Sequence, residues 1–171
     1  MIVEIVVPLV IIVVLIALNG LFVAAEFAIV GVSRAEIEHG ARRGNRASIV
    51  VRGILSDPRR QDRFIATAQL GITAASLGLG MYGEHALASW FAVLLEDLGA
   101  ARWVAAHSLA SVLAVAFLTY FHIVLGEMVP KSVALQRARS TILGIVPGMR
   151  AIQFVFYPVV LQLNGIGNGL L

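Results

Sequence analysis

Apolar residues gather into three long stretches of this chain, and polar residues break those stretches at only a few places. The first runs from Ile5 to Val32 and carries one charge, Glu26. A helix needs roughly 20 apolar residues to cross a bilayer, so this stretch is long enough to span. It is too long for a cleaved leader, and no basic residue precedes it. The second, Phe64 to Gly80, is rich in Ala, Gly, Thr and Ser. After a break expected near Gly78–Gly83 it resumes from His85 to Leu95. The third, Trp103 to Leu125, holds only His107 and His122 as titratable residues. The pattern predicts an all-α membrane protein forming one domain over residues 1–171, with transmembrane helices at 5–32, 64–80 (continuing to 95) and 103–126.

Two further segments are expected to lie along the membrane surface as juxtamembrane belt helices, at 34–56 and 133–165. In the first, Ile37, Ala41, Ile49 and Ile54 are set among arginines. The second divides at Pro147–Gly148, and its latter part places Phe154, Phe156 and Tyr157 before Pro158, aromatic residues suited to the headgroup level. A fourth span from Ile142 to Leu163, interrupted by Arg150, is the competing arrangement.

Charge gives the orientation. Lys and Arg number 13 against 10 Asp and Glu, a net +3 that alone would admit nucleic acid as a partner. Their placement argues otherwise. Twelve of the 13 fall in two segments, Arg34–Arg63 and Lys131–Arg150, separated by stretches nearly free of charge. Cytoplasmic loops retain basic residues in this way. Both basic segments are therefore placed in the cytoplasm, with the N-terminus outside, three crossings and the C-terminus inside. Arg102 stands apart, near Glu84, Glu96 and Asp97. Hydrophobic residues make up 59% of the chain and charged residues 13%, about half the share of a soluble domain, which confirms the membrane class. There is no cysteine, so thiol chemistry, disulfides and Cys-based zinc sites are excluded.

Ionisable and amide side chains inside a membrane are costly, so each is a functional candidate. Glu127 ends the third apolar stretch in the string HIVLGEMVPK. Pro130 lacks an N–H and its ring clashes with the carbonyl four residues back, which is that of Gly126. An unpaired backbone oxygen thus sits beside a carboxylate, a donor set suited to hard cations such as Mg²⁺. The alternative is a boundary ion pair between Glu127 and Lys131, one turn on. Gln69, Thr73 and Ser76 share one face of the second helix; they either line a polar site or bond to their own backbone while small residues pack. On the first helix Asn19 and Glu26 lie two turns apart on one face, beside Gly20 and the Ala24–Ala25 pair. Asn19 could serve helix packing, and Glu26 could reach the headgroups. His107 and His122 are read as packing or boundary residues. No triad, P-loop, HExxH or Rossmann pattern is present, and an enzyme is not expected.

The strings NGLFVAAEFAIV (Asn19–Val30), QLGITAASLGLG (Gln69–Gly80) and HIVLGEMVPKSVAL (His122–Leu135) resemble the membrane domain of the CorC/CNNM family of magnesium transporters. The Gly-Glu-x-x-Pro-Lys core is the most specific of them. The resemblance implies a homodimer that exports Mg²⁺ in exchange for Na⁺ across the plasma or inner membrane. It also implies an ATP-binding CBS region on the cytoplasmic side, outside this sequence. Carried over by motif, the ion site would use the Glu127 carboxylate, the Gly126 carbonyl, the Ser76 hydroxyl and the Asn19 side chain. Backbone oxygens near Ala24 and Ala25 would complete it, since some relatives carry Ser there and this chain has only Ala. Glu26, Thr73 and Pro130 are secondary candidates. A non-conducting Mg²⁺ sensor or scaffold of another transporter is the rival function.

Overall fold

The computed structural model describes the backbone of residues 2–97 and 103–169, and side chains over 5–93 and 109–157 and at Gln162. Among the described residues there are helices and no strand. In chain order they are α1 (Ile2–Gly31), α2 (Arg34–Arg42), α3 (Arg46–Leu55), α4 (Pro58–Gly78), α5 (Glu84–Asp97), α6 (Trp103–Phe121), α7 (Val129–Gln136) and α8 (Ala138–Gly169). Two π-helical segments join neighbours without a loop: Leu79–Gly83 links α4 to α5, and His122–Met128 links α6 to α7. The break expected near Gly78–Gly83 is therefore a change of winding within one continuous helix.

Local chemistry sets the ends. Gly44, at φ 79°, turns the chain between α2 and α3, and the Asn45 side chain caps α3 by accepting from the Ser48 amide at 2.9 Å. Asp57 caps α4 through the Arg59 amide at 3.0 Å, and Pro58 fills the first turn, where its missing N–H is not needed. Arg137, at φ −132° and ψ 43°, separates α7 from α8.

The expected division at Pro147–Gly148 is absent, because α8 runs through both residues. Ala138, Ile142, Val146 and Met149 form a buried stripe on one face of α8, while Pro147 and Gly148 fall on the exposed face. Contacts on both sides of the proline thus hold the helix together despite one lost hydrogen bond.

Among the described residues, four helices are long and apolar enough to cross a membrane: Ile5–Gly31, Pro58–Val93, Leu109–Gln136 and Ala138–Tyr157. The protein is a multi-pass membrane protein. The fourth helix differs from the others in what it meets. It begins against the end of α1, where Ala138 Cβ lies 3.7 Å from the β-carbon position of Gly31. Some 19 residues later Tyr157 lines a pocket with Arg60 and Arg63 of the first turns of α4.

Two apolar clusters organise the bundle. The larger joins Ala25, Ala28 and Ile29 of α1 to Ile37, Val51, Phe64, Ile142 and Met149. The smaller joins Ile12, Leu79, Leu87, Ala114 and Leu118. Where helices face lipid, burial of apolar surface supplies little net driving force and close packing matters more. Phe22 illustrates this: its ring lies over Gly71 of α4, and a β-carbon there would stand 2.5 Å from the ring. Glycine is what lets α1 and α4 approach.

Candidate functional site

Asn19 is fully buried between the two apolar clusters, an expensive place for an amide unless both its ends are bonded. Both are. Its Nδ2 donates to the Gly126 carbonyl at 3.0 Å, and its Oδ1 accepts from the Ser76 hydroxyl at 3.1 Å. Ser76 Oγ also lies 3.4 Å from His122 Nε2. Three helical segments, α1, α4 and the π-segment after α6, are thus tied together by one polar chain.

Winding explains why Gly126 accepts from a side chain. The Val129 amide bonds to the Val124 carbonyl, a step of five. Continued at that step, the next amide would belong to Pro130 and serve Leu125; at the α-helical step of four it would serve Gly126. Pro130 has no N–H for either. The Gly126 carbonyl singled out from the proline is the one that accepts from Asn19. His122 lies against the same glycine, where a β-carbon would stand 2.9 Å from its Cδ2.

The other anticipated residues divide clearly. Glu127 follows Gly126 directly and is exposed. Among the described residues it forms no ion pair. The Glu127–Lys131 pair is not made; Lys131 Nζ sits 4.5 Å above the Phe27 ring instead. Glu26 accepts from Gln69 Nε2 at 3.1 Å, a separate polar link between α1 and α4. The Thr73 hydroxyl donates to the Gln69 carbonyl at 2.9 Å, so Thr73 serves its own helix and Ser76 does not. Ala24 and Ala25 are buried in the larger cluster, and α1 is unbroken through them. Their carbonyls therefore take part in the helix's own ladder. His122, read from sequence as a packing residue, joins the site; its position four residues before Gly126 was the available signal. The side chains of Glu96, Asp97, Arg102 and His107 lie outside the described residues.

The cluster carries oxygens from an amide, a hydroxyl and a carbonyl, with one carboxylate adjacent in sequence. No grouping of three or more His, Asp or Glu suited to a metal occurs among the described residues. Such a neutral donor set, with carbonyl oxygen included, suits a hard cation that keeps part of its water shell.

Comparison with known proteins identifies the lineage. Residues 10–171 match the family described as the Cyclin M transmembrane N-terminal domain. The chain belongs to that family. Cyclin M domains are associated with the handling of divalent cations. The chain is 39% identical over 157 residues to UPF0053 protein YhdT of Bacillus subtilis (strain 168), covering 92% of this chain and 33% of that protein. It is 35% identical to UPF0053 protein YhdP of the same organism over 135 residues, 79% of this chain and 30% of that one. UPF0053 protein sll0260 of Synechocystis sp. is 32% identical over 151 residues, covering 88% of this chain and 33% of that protein. The chain thus spans about a third of the length of these curated relatives.

Proposed function

We propose that this cyclin M domain carries Mg²⁺ across the plasma or inner membrane, as an exporter coupled to Na⁺ influx, by alternating access around Asn19, Ser76, Gly126 and Glu127. The observation that carries the proposal is the polar chain Ser76–Asn19–Gly126, in which Asn19 and Gly126 are buried and Glu127 is next in sequence. Ser76 Oγ and Asn19 Oδ1 are 3.1 Å apart. Adjacent ligands of octahedral Mg²⁺, at about 2.0–2.1 Å from the ion, are separated by about 2.9 Å. Both oxygens therefore suit one ion with little movement. To bind it, the Ser76 proton must leave Asn19 Oδ1, and His122 Nε2 at 3.4 Å is the neighbouring acceptor. Glu127 contributes the charge that offsets the cost of stripping water from the ion.

In this proposal the membrane is crossed three times, with the N-terminus outside and the basic helices in the cytoplasm. The course of α8 supports it. A helix rises 1.5 Å per residue, so Ala138 and Tyr157 are about 28 Å apart along α8. Yet they meet Gly31 and the Arg60–Arg63 turn, both at helix ends next to basic segments. A helix travelling into the bilayer would meet progressively deeper residues of α4. Assembly as a homodimer, and ATP control through a CBS region elsewhere in the full protein, complete the proposal.

The test is thermal stabilisation of the detergent-purified protein by Mg²⁺, followed by Mg²⁺ flux in liposomes with and without a Na⁺ gradient. Stabilisation that Glu127→Gln and Ser76→Ala abolish, together with flux, is the expected result. Stabilisation without flux would instead identify a sensor or scaffold. Equal stabilisation of wild type and both variants would refute the site.

A further inference from the structure

A second built feature lies away from the ion pathway, where α3, the first turns of α4 and the middle of α8 enclose an open pocket of about 480 Å³. Among the described residues, three arginines line it, Arg60, Arg63 and Arg150, and no carboxylate does. The rest of its lining is mostly apolar, including Ile49 and Ile54 from α3, with Thr67 and Gln153 as the uncharged polar members. Tyr157 and Phe154 stand at its α8 side; Phe154 is 85% exposed.

Two of the guanidinium groups are oriented by neighbours. Arg63 Nε donates to the Arg59 carbonyl at 3.2 Å, and Arg60 Nε pairs with Asp57 at 3.2 Å. Each bond uses one nitrogen and leaves the terminal NH₂ groups to bind something else. The Arg60 group lies over Gly53, with Nη1 3.7 Å from that residue's β-carbon position. Arg150 has no hydrogen-bond or ion-pair partner among the described residues.

We propose that this pocket binds the phosphate headgroup of an anionic phospholipid, with its acyl chains running along the apolar side of α8. Convergent arginines match phosphate oxygens by geometry as well as charge. The apolar and aromatic walls suit a molecule whose other end is hydrocarbon, which a soluble anion does not provide. The location agrees: α4 changes from basic to apolar at Arg63–Phe64, the transition expected where a helix enters the membrane. Basic pockets between helices on the cytoplasmic side are suited to anionic headgroups. The lipid would brace α8 against α3 and α4.

The test compares the detergent-purified protein with added phosphatidylglycerol, phosphatidylcholine or inorganic phosphate, reading melting temperature and lipid copies retained in native mass spectrometry. Phosphatidylglycerol is expected to stabilise and be retained, and the other two are not. Arg60→Gln/Arg150→Gln should weaken retention by on the order of tenfold or more. Arg34→Gln, which lies outside the pocket, should leave it unchanged. Three outcomes would overturn the proposal: equal retention of phosphatidylcholine, full stabilisation by phosphate alone, or undiminished retention by the double variant when its melting temperature in lipid-free detergent matches wild type. If the double variant does not fold, Arg150→Gln alone, on the exposed face of α8, gives the same comparison with a smaller loss.

Discussion

Replacing Asn19 with leucine removes two hydrogen bonds and almost no volume, so its cost reports on bonding rather than on a cavity. In the tautomer with Nε2 unprotonated, Ser76 can turn its hydroxyl to His122 Nε2, 3.4 Å away. The Gly126 carbonyl loses its Asn19 donor, and Pro130 has no N–H with which to replace it. One buried orphan carbonyl costs roughly 1–3 kcal/mol. Hydrogen bonds between membrane helices average about 0.6 kcal/mol and reach about 1.7, so ~1–2 kcal/mol is expected here. For a chain of this size that lowers the melting temperature by about 2–8 °C. The informative measurement is a double-mutant cycle with Pro130→Ala, followed by thermal unfolding in one detergent. Restoring the amide at position 130 gives the 125–126 turn its own donor, and Asn19→Leu should then cost half as much or less. Equal cost in both backgrounds would show that Asn19 does not stand in for the missing proline amide, and the account of the site would fall.

Further measurements probe other links. Ser76→Ala should change the melting temperature by less than Asn19→Leu and yet remove stabilisation by Mg²⁺; retained stabilisation would separate Ser76 from the ion. Gly71→Ala drives a methyl group into the Phe22 ring and should cost about 1–3 kcal/mol, with partial rescue by Phe22→Leu; an unaffected melting temperature would mean that α1 and α4 are not so close. Glu38, on α2, is held below the ordinary carboxylate range chiefly by its hydrogen bond from Arg42, with Arg52 assisting. Its contribution is therefore present at neutral pH and lost as pH falls through that lowered value. Because the pair is exposed, Glu38→Gln should produce only a small destabilisation at neutral pH, absent in acid and weakened by high salt; an effect that grows on acidification would contradict the assignment.

Helix positions were legible in the sequence because hydropathy and charge change together at their ends, as at Arg63–Phe64. The Gly126 carbonyl was legible too, since proline's missing amide is a local fact. Its donor was not, for Asn19 is 107 residues away and only tertiary packing selects it from the polar side chains. The π-segments escaped notice for a related reason: one added residue per turn leaves composition unchanged and alters only which faces align. That altered phase brings His122 to Ser76, although the residue looked isolated on an apolar helix. Proline at 147 misled in the opposite direction. Its local preference to end a helix was overridden by the buried stripe from Ala138 to Met149.

The two π-segments carry a consequence for how the molecule can move. Each holds its turn underwound by the equivalent of an extra residue, one leading into α5 and the other out of α6. Relaxing such a turn to α-helical winding rotates everything beyond it by about 100° and advances it about 1.5 Å. Both connections to the α5–α6 hairpin can therefore act as screws, and turning them in concert would re-aim its side chains while the two main helices stay continuous. His122 and Gly126 lie within one of these threads. A turn of the screw would pass directly through the polar chain on Asn19, making the state of that chain and the position of the hairpin one mechanical variable.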